Sequence, residues 1–238
     1  ATAADASPVR EGFAAIEDDH KSQGSAGSQS MFVRRRIAVS QPIDDFFFDP
    51  PYRHLVGAAR DGGKAVVVDL TVGGEVAELP LPGMPHLGSG ISWMRDGRRV
   101  MATPHLKEGK LSVIGIDDWK LVTTIKTAGA GFFLRSHEDT PYVWADAFLS
   151  PSKDKIHQID KQSLEIVKTL QPVPGATAAH TEFDRHGRHA LVSIWEDPGW
   201  LIVYDARTLG EVRRIPMRKP SGKYNVWNKI TFSEGTSH

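Results

Sequence analysis

VVVDLTVGGEVAEL, residues 66–79, is the stretch on which the fold turns. A β-branched run ends at Asp69, a glycine-containing turn follows, and a second apolar run closes on Leu79. Val favours the pleated surface of a sheet, while Asp and Gly favour turns. The same design returns three times, as VIGIDDWKLVTTI (113–125), HQIDKQSLEIVKTL (157–170) and IVYDARTLGEVRRI (202–215). Superposed, they set Asp69, Gly115, Asp160 and Asp205 at one position, at intervals of 46, 45 and 45 residues. Ten residues further on stand Leu79, Ile125, Leu170 and Ile215, apolar every time.

A second motif precedes each of these: PYRHLVGAA (51–59), DGRRVMATP (96–104), DTPYVWADA (139–147) and HGRHALVSI (186–194). Each reads as a polar turn followed by a buried strand. One unit therefore holds about four short strands: an innermost strand, two buried strands and an outer strand after the Asp turn. That period and strand count match the blade of a β-propeller. The fold class is all-β, with about four four-stranded blades between Asp49 and the C-terminus. A β-sandwich is the structural rival, and near-equal spacing over four units argues against it. SGKYNVWNKITF (221–232) follows the fourth outer strand and reads as a strand of yet another blade.

Working outward, residues 1–30 are rich in Ala, Ser and Gly and read as a flexible arm, with a short helix open near Glu11–Asp18. The propeller is expected over 31–238. The formal net charge is zero, which leaves no electrostatic footprint for nucleic acid or an anionic membrane. The densest basic run, Arg34 to Arg36, is short enough to be a solvated edge. No stretch approaches the length of a membrane span, and no signal peptide opens the sequence. Cysteine is absent, which excludes disulfides, thiolate metal sites and covalent C-x-x-C-H haem attachment within these 238 residues. There is no G-x-S-x-G, H-E-x-x-H or P-loop motif. Asp117 and Asp118 sit together in a turn, where Asp is favoured on conformational grounds.

Five segments carry a resemblance: PGMPHLGSGISW (82–93), ATPHLKEGKLSVIG (102–115), GAGFFLRSHEDTPYVWADA (129–147), AHTEFDRHGRHALVSIW (179–195) and KPSGKYNVWNKI (219–230). Together they resemble the haem d1 propeller domains of the cytochrome cd1 family, in order and from about Ile43 to the end. The resemblance implies an eight-bladed ring with haem d1 in its central cavity, of which these blades are the C-terminal part. Within the family, the nitrite reductases are similar in having a Pro-His histidine, matched by Pro85-His86, and a second distal histidine where Phe47 or Phe48 stands here. They also have an arginine where Ser89 stands and a glutamine where His180 stands. The C-terminal wording is more similar to the biosynthetic branch that oxidises dihydro-haem d1. The implied activity is therefore that oxidoreduction, with a nitrite reductase fragment or a non-enzymatic haem d1 carrier as alternatives.

The resemblance implies these roles. His86 is the iron ligand or an acid–base group, since imidazole suits iron and titrates near neutrality. His180 is an acid–base group, since its pKa lies near neutrality. Tyr224, expected in the last inner strand with Lys223, is a hydrogen-bond donor or acid. Arg135 and Lys223 are cofactor contacts, a guanidinium being able to grip a carboxylate bidentately. Phe132 and Phe133 pack on the macrocycle. Both histidines are expected on loops leading into inner strands, ahead of Ile91 and Phe183, and both are expected to point toward the propeller axis. His105 and His137 are expected to be peripheral and structural, and His54, His157, His186 and His189 to hold turns or strand edges. The implied ligand is haem d1 or dihydro-haem d1, with no haem c on this chain. The implied partners are an upstream propeller half or a haem c electron carrier, with self-association through open blade edges. The implied compartment is the periplasm.

Overall fold

The computed structural model describes residues 35–230 together with Glu234 and Gly235. The 1–30 arm expected from composition lies outside the described residues. Sixteen strands form four antiparallel four-stranded sheets, each built from consecutive strands. Blade 1 holds β1 (Asp45–Phe48), β2 (His54–Ala58), β3 (Lys64–Asp69) and β4 (Gly74–Pro80). Blade 2 holds β5 (Ile91–Arg95), β6 (Arg98–Pro104), β7 (Lys110–Gly115) and β8 (Lys120–Lys126). Blade 3 holds β9 (Leu134–Arg135), β10 (Tyr142–Asp146), β11 (Ile156–Asp160) and β12 (Ile166–Leu170). Blade 4 holds β13 (Ala178–Phe183), β14 (His189–Ile194), β15 (Gly199–Asp205) and β16 (Glu211–Met217).

The aligned turn position has a common physical cause. Each Asp ends the third strand of its blade and folds its carboxylate back onto the turn. Asp69 Oδ1 accepts from the amides of Thr71 (2.8 Å) and Val72 (2.9 Å). Asp160 does the same for Gln162 and Ser163, and Asp205 for Arg207 and Thr208. This Asx turn replaces backbone partners with a side chain. Blade 2 departs from it: Gly115 stands at the aligned position, and the nearby Asp118 carboxylate accepts from Arg98 at 3.0 Å. A Cβ on Gly115 would lie 2.6 Å from Asp118 Oδ1, so that position stays glycine.

The two middle strands of a blade are buried on both faces, and the core forms where faces of neighbouring blades meet. Val56, Val67 and Leu79 of blade 1 pack on Met101 and Ile114 of blade 2. Ile91, Trp93 and Val113 of blade 2 pack on Leu134, Val143 and Ile159 of blade 3. Trp144 and Ile156 of blade 3 pack on Val192, Ile202 and Tyr204 of blade 4. The Trp93 indole N–H donates to Lys161 O at 3.0 Å, so the blade 2–3 seam is polar as well as apolar. The far face of blade 1, carrying Leu55, Val66 and Val68, is covered by Ile37, Val39 and Ile43. Arg35 is tied to the same blade, donating to the carbonyls of Leu70, Thr71 and Val72.

The segment after β16 is not a further strand. It runs as coil to Asn225 and then forms a short helix, α1 (Val226–Ile230). The Asn225 side chain accepts from the Asn228 amide at 3.1 Å, an N-cap bond that selects helix over sheet. The Asn225 amide group donates to Phe183 O at the end of β13, and Asn228 meets His137 Nε2 at 3.0 Å. Further on, the Gly235 amide donates to Ser92 O (3.0 Å) and Gly235 O accepts from Ser136 N (2.9 Å). Glu234 pairs with Arg99 at 3.3 Å. Glu234 and Gly235 thus contact blade 2, and Gly235 also bonds the residue that follows β9.

Candidate functional site

Two histidines and a bridge of phenylalanines define the site. His86 precedes a 3₁₀ turn, Leu87–Ser89, that leads into β5. Its Nδ1 meets Asp45 Oδ2 at 2.7 Å, and Asp45 Oδ1 accepts from the Gly88 amide at 3.0 Å. A carboxylate can only accept, so Nδ1 carries the ring proton and Nε2 presents its lone pair. The side chain keeps 19% of its surface exposed. A pocket of about 250 Å³ opens beside it, lined by Asp45, Arg60, Met84, Pro85 and Leu106 among others. Asp45 was not singled out from the sequence, since it lies 41 residues from its partner and carries no local signature.

His86 stacks obliquely on Phe132 with ring centroids 4.2 Å apart. Phe132 meets Phe133 at 4.8 Å, and Phe133 meets His180 at 4.5 Å. Phe148 and Trp195 back the two phenylalanines. The rings therefore link the two histidines across three blades. Phe132 and Phe133 stay partly exposed rather than sinking into the blade core.

His180 corrects one expectation. It lies within β13, not on a loop ahead of it, and Phe183 ends that strand instead of starting it. The Pro174-Gly175 turn closes early enough for the strand to begin at Ala178. Between the pairs Ala179↔Ser193 and Glu182↔Leu191 the register slips, leaving His180 and Thr181 on a bulge. His180 takes φ = 51° there, a left-handed conformation uncommon outside glycine. The bulge re-aims the imidazole out of the strand pleat toward Phe133 and Tyr224 (5.5 Å).

The electrostatics of His180 are set by burial and cations. Desolvation, then Lys223 and Arg135, push its pKa down to about 4. Its Nδ1 accepts the Lys223 amide at 3.4 Å. The Lys223 ammonium donates to His180 O and to Ser193 Oγ (2.7 Å). Burial brings Lys223 itself down to about 7, with Arg135 adding to the fall.

The remaining expected residues divide. Arg135 ends β9, as expected, but it is buried, and its Nε faces Glu182 Oε2 at 3.4 Å. Lys223 and Tyr224 lie in coil before α1, not in an inner strand, because the Asn225 cap starts a helix. Tyr224 is 61% exposed, with the Lys229 ammonium 5.1 Å above its ring. Of the two residues expected at the second histidine position, Phe47 is buried in the blade 1–2 core and Phe48 packs against the cluster on the far face of blade 1. His105 and His137 are fully buried, not peripheral. His105 bonds Ser112 Oγ (2.9 Å), and His137 is held among Arg185 O, Asp139 N and Asn228. A buried carboxyl that sequence reading missed, Asp146, closes β10. It accepts from the amides of Phe132 (2.8 Å), Phe133 (3.2 Å) and Phe148 (3.5 Å).

The chain is similar to known proteins over most of its length. Dihydro-heme d1 dehydrogenase from Pseudomonas aeruginosa is 55% identical over 204 residues, 86% of this chain and 41% of that protein. Protein NirF from the same organism is 33% identical over 90% of this chain and 54% of its own length. Among solved structures, dihydro-heme d1 dehydrogenase NirN in complex with DHE superposes with TM-score 0.80, covering 82% of this chain and 42% of that one. A β-propeller domain from Myceliophteria thermophila, 19% identical, superposes with TM-score 0.57 over 74% of this chain and 56% of its own, and supports the fold alone. The chain thus spans about half or less of the length of these curated relatives. The profile of the cytochrome D1 heme domain matches residues 14–229, and the chain belongs to that family.

Proposed function

We propose that this chain is the C-terminal part of a d1-type propeller that holds haem d1 or its dihydro precursor and serves the oxidation of dihydro-haem d1. The observation that carries this reading is the ring sequence His86–Phe132–Phe133–His180 with cationic Lys223 at one end. The donor set fits the group. A tautomer-fixed imidazole suits iron, half-exposed phenyl faces suit a flat macrocycle, and cations suit its carboxylates. Arg135 fits less well, since Glu182 already offsets its charge. When bound, the macrocycle supplies a redox-active iron and the saturated side chain that loses hydrogen.

The residues then divide the work. His86 offers Nε2 to the iron, and Asp45 holds the ring in that orientation. Phe132 and Phe133 exclude water from the face they cover. His180 is neutral at pH 7 and accepts a proton at Nε2. The tautomer this requires gives up only the 3.4 Å bond from the Lys223 amide, near the weak limit for such a bond. A pKa of about 4 makes a weak base. A carboxylate drawn to Lys223 offsets its coulombic part in that depression and raises basicity when ligand is present. Tyr224, beside His180 and exposed, donates a hydrogen bond or a proton to the ligand.

The partners follow from the same reading: further blades completing an eight-bladed ring, and a haem c carrier for the electrons, in the periplasm. Among the described residues, no helix is long and apolar enough to cross a membrane. The test is to titrate the 238-residue chain with purified dihydro-haem d1 and haem d1. Saturable binding with a spectrum altered by His86→Ala supports the reading. Saturable binding with no turnover, even with the missing segments and a haem c acceptor added, points to a carrier. No binding overturns both. Light scattering on the unloaded chain tests completeness: a monodisperse monomer with a cooperative melt counts against the missing blades.

A further inference from the structure

Asp146 has no place in the roles above, yet it is one of the most buried carboxyls in the molecule, at 3% exposure. Its carboxyl accepts from the backbone amides of Phe132 (2.8 Å), Phe133 (3.2 Å) and Phe148 (3.5 Å). Those three amides belong to two separate stretches of chain. Phe132 and Phe133 lie on the connection leading into β9, and Phe148 follows β10. Phe132 is the ring against His86, and Phe133 is the ring against His180. Next to the clamp the chain passes so close that a Cβ on Gly131 would lie 2.4 Å from Asp146 O. A side chain at 131 would push the Phe132–Phe133 segment off the carboxylate.

We infer that Asp146 is the positioning residue of the site: one buried carboxylate sets the placement of the Phe132–Phe133 wall that stands between His86 and His180. The inference rests on the reading of this site as a macrocycle site. Its physical basis is independent of that reading, since a carboxylate gathering several amides is a strong, directional anchor. The wall is thereby fixed by its own blade, and a ligand sandwiched against it meets His180, whose ring packs on Phe133 at 4.5 Å, at a fixed offset.

The experiment uses the full 238-residue chain in two parts. In the unloaded protein, amide resonances of Phe132 and Phe133 are followed by NMR in wild type and in Asp146→Asn. Carboxylate-bound amides resonate downfield, so both move upfield together in the variant, while the fold is retained. In the second part, purified haem d1 is titrated into wild type, Asp146→Asn, and Val66→Ala, a core truncation on the covered face of blade 1. Asp146→Asn shifts the bound visible spectrum and weakens binding about 10-fold or more, the usual cost of losing an outer partner of a ligand site. Val66→Ala lowers the melting temperature and leaves the spectrum unchanged. Unmoved amides overturn the clamp whatever the ligand. Moved amides with an unchanged spectrum and affinity overturn its role in the site. Failure of wild type to bind haem d1 sinks the functional reading and leaves the amide result standing.

Discussion

The two histidines are built oppositely. His86 stands on a turn beside a pocket, and its Nδ1 faces a carboxylate. His180 is nine-tenths or more buried on a strained bulge, and its neighbours are cations and an amide donor. One ring is set to present a lone pair, the arrangement of a metal ligand. The other is kept neutral and able to exchange a proton. On the reading proposed above, the same residue type takes two jobs according to which sign of charge surrounds it.

The largest effect that separates them is kinetic. With the missing segments restored, His180→Ala slows oxidation of dihydro-haem d1 by about 10²–10⁴-fold, the usual worth of a general acid–base group, and changes affinity little. Turnover within a few-fold of wild type removes His180 from the chemistry. Next comes the partner of the other ring. Asp45→Asn removes the fixed tautomer of His86 and costs about 10–100-fold in affinity for the macrocycle, with a shifted spectrum. If Asp45→Asn behaves like wild type, the contrast between the rings is packing only.

The third effect is on stability against pH, where two groups of the site oppose each other. His180 has a folded pKa near 4, below the usual 6.5. The unfolded chain therefore takes up its proton first, and stability is lost as pH falls from about 6.5 to 4. Asp146 is raised by burial from 3.8 to about 7. Its contribution is present at low pH and is lost as pH rises from about 4 through 7. Relative to wild type, His180→Gln therefore gains stability as pH falls across this window, by on the order of 2 kcal/mol after allowance for screening. Asp146→Asn gains as pH rises across it. Denaturant melts at pH 4, 5.5 and 7 check both signs, and parallel curves for all three proteins would refute the assignment.

The smallest effect sharpens the cause. Lys223→Met removes one cation beside His180, so its titration midpoint rises from about 4 toward the ordinary value. An NMR titration of the His180 ring reads this directly. A midpoint that stays put makes burial the whole explanation.

How much of this was legible beforehand follows from where each interaction reaches. The blade pattern is local: Asp69, Asp160 and Asp205 bond amides two and three residues ahead, so the motif repeats in the sequence as it does in space. Gly115 broke the pattern for a local reason too, the intrusion of Asp118. His86 and His180 were legible as residue types in glycine-marked segments. The placement of His180 was not, because a bulge depends on how two strands register and leaves little trace in one of them. SGKYNVW was misread as strand because its apolar residues fit either period, and the Asn225 cap decided for helix.

The sequence by itself determined the repeat, the strand order within a blade and the residue types available for the site. All of these rest on neighbours a few residues apart. Only the tertiary structure decided that Asp45 bonds His86 across 41 residues, that Asp146 accepts from the amides of Phe132 and Phe133, and that Gly235 bonds Ser92 of blade 2. Those bonds join residues from different blades or from far along the chain. Their partners are brought together by blade-on-blade packing, whose apolar contacts are nondirectional and specify no single residue.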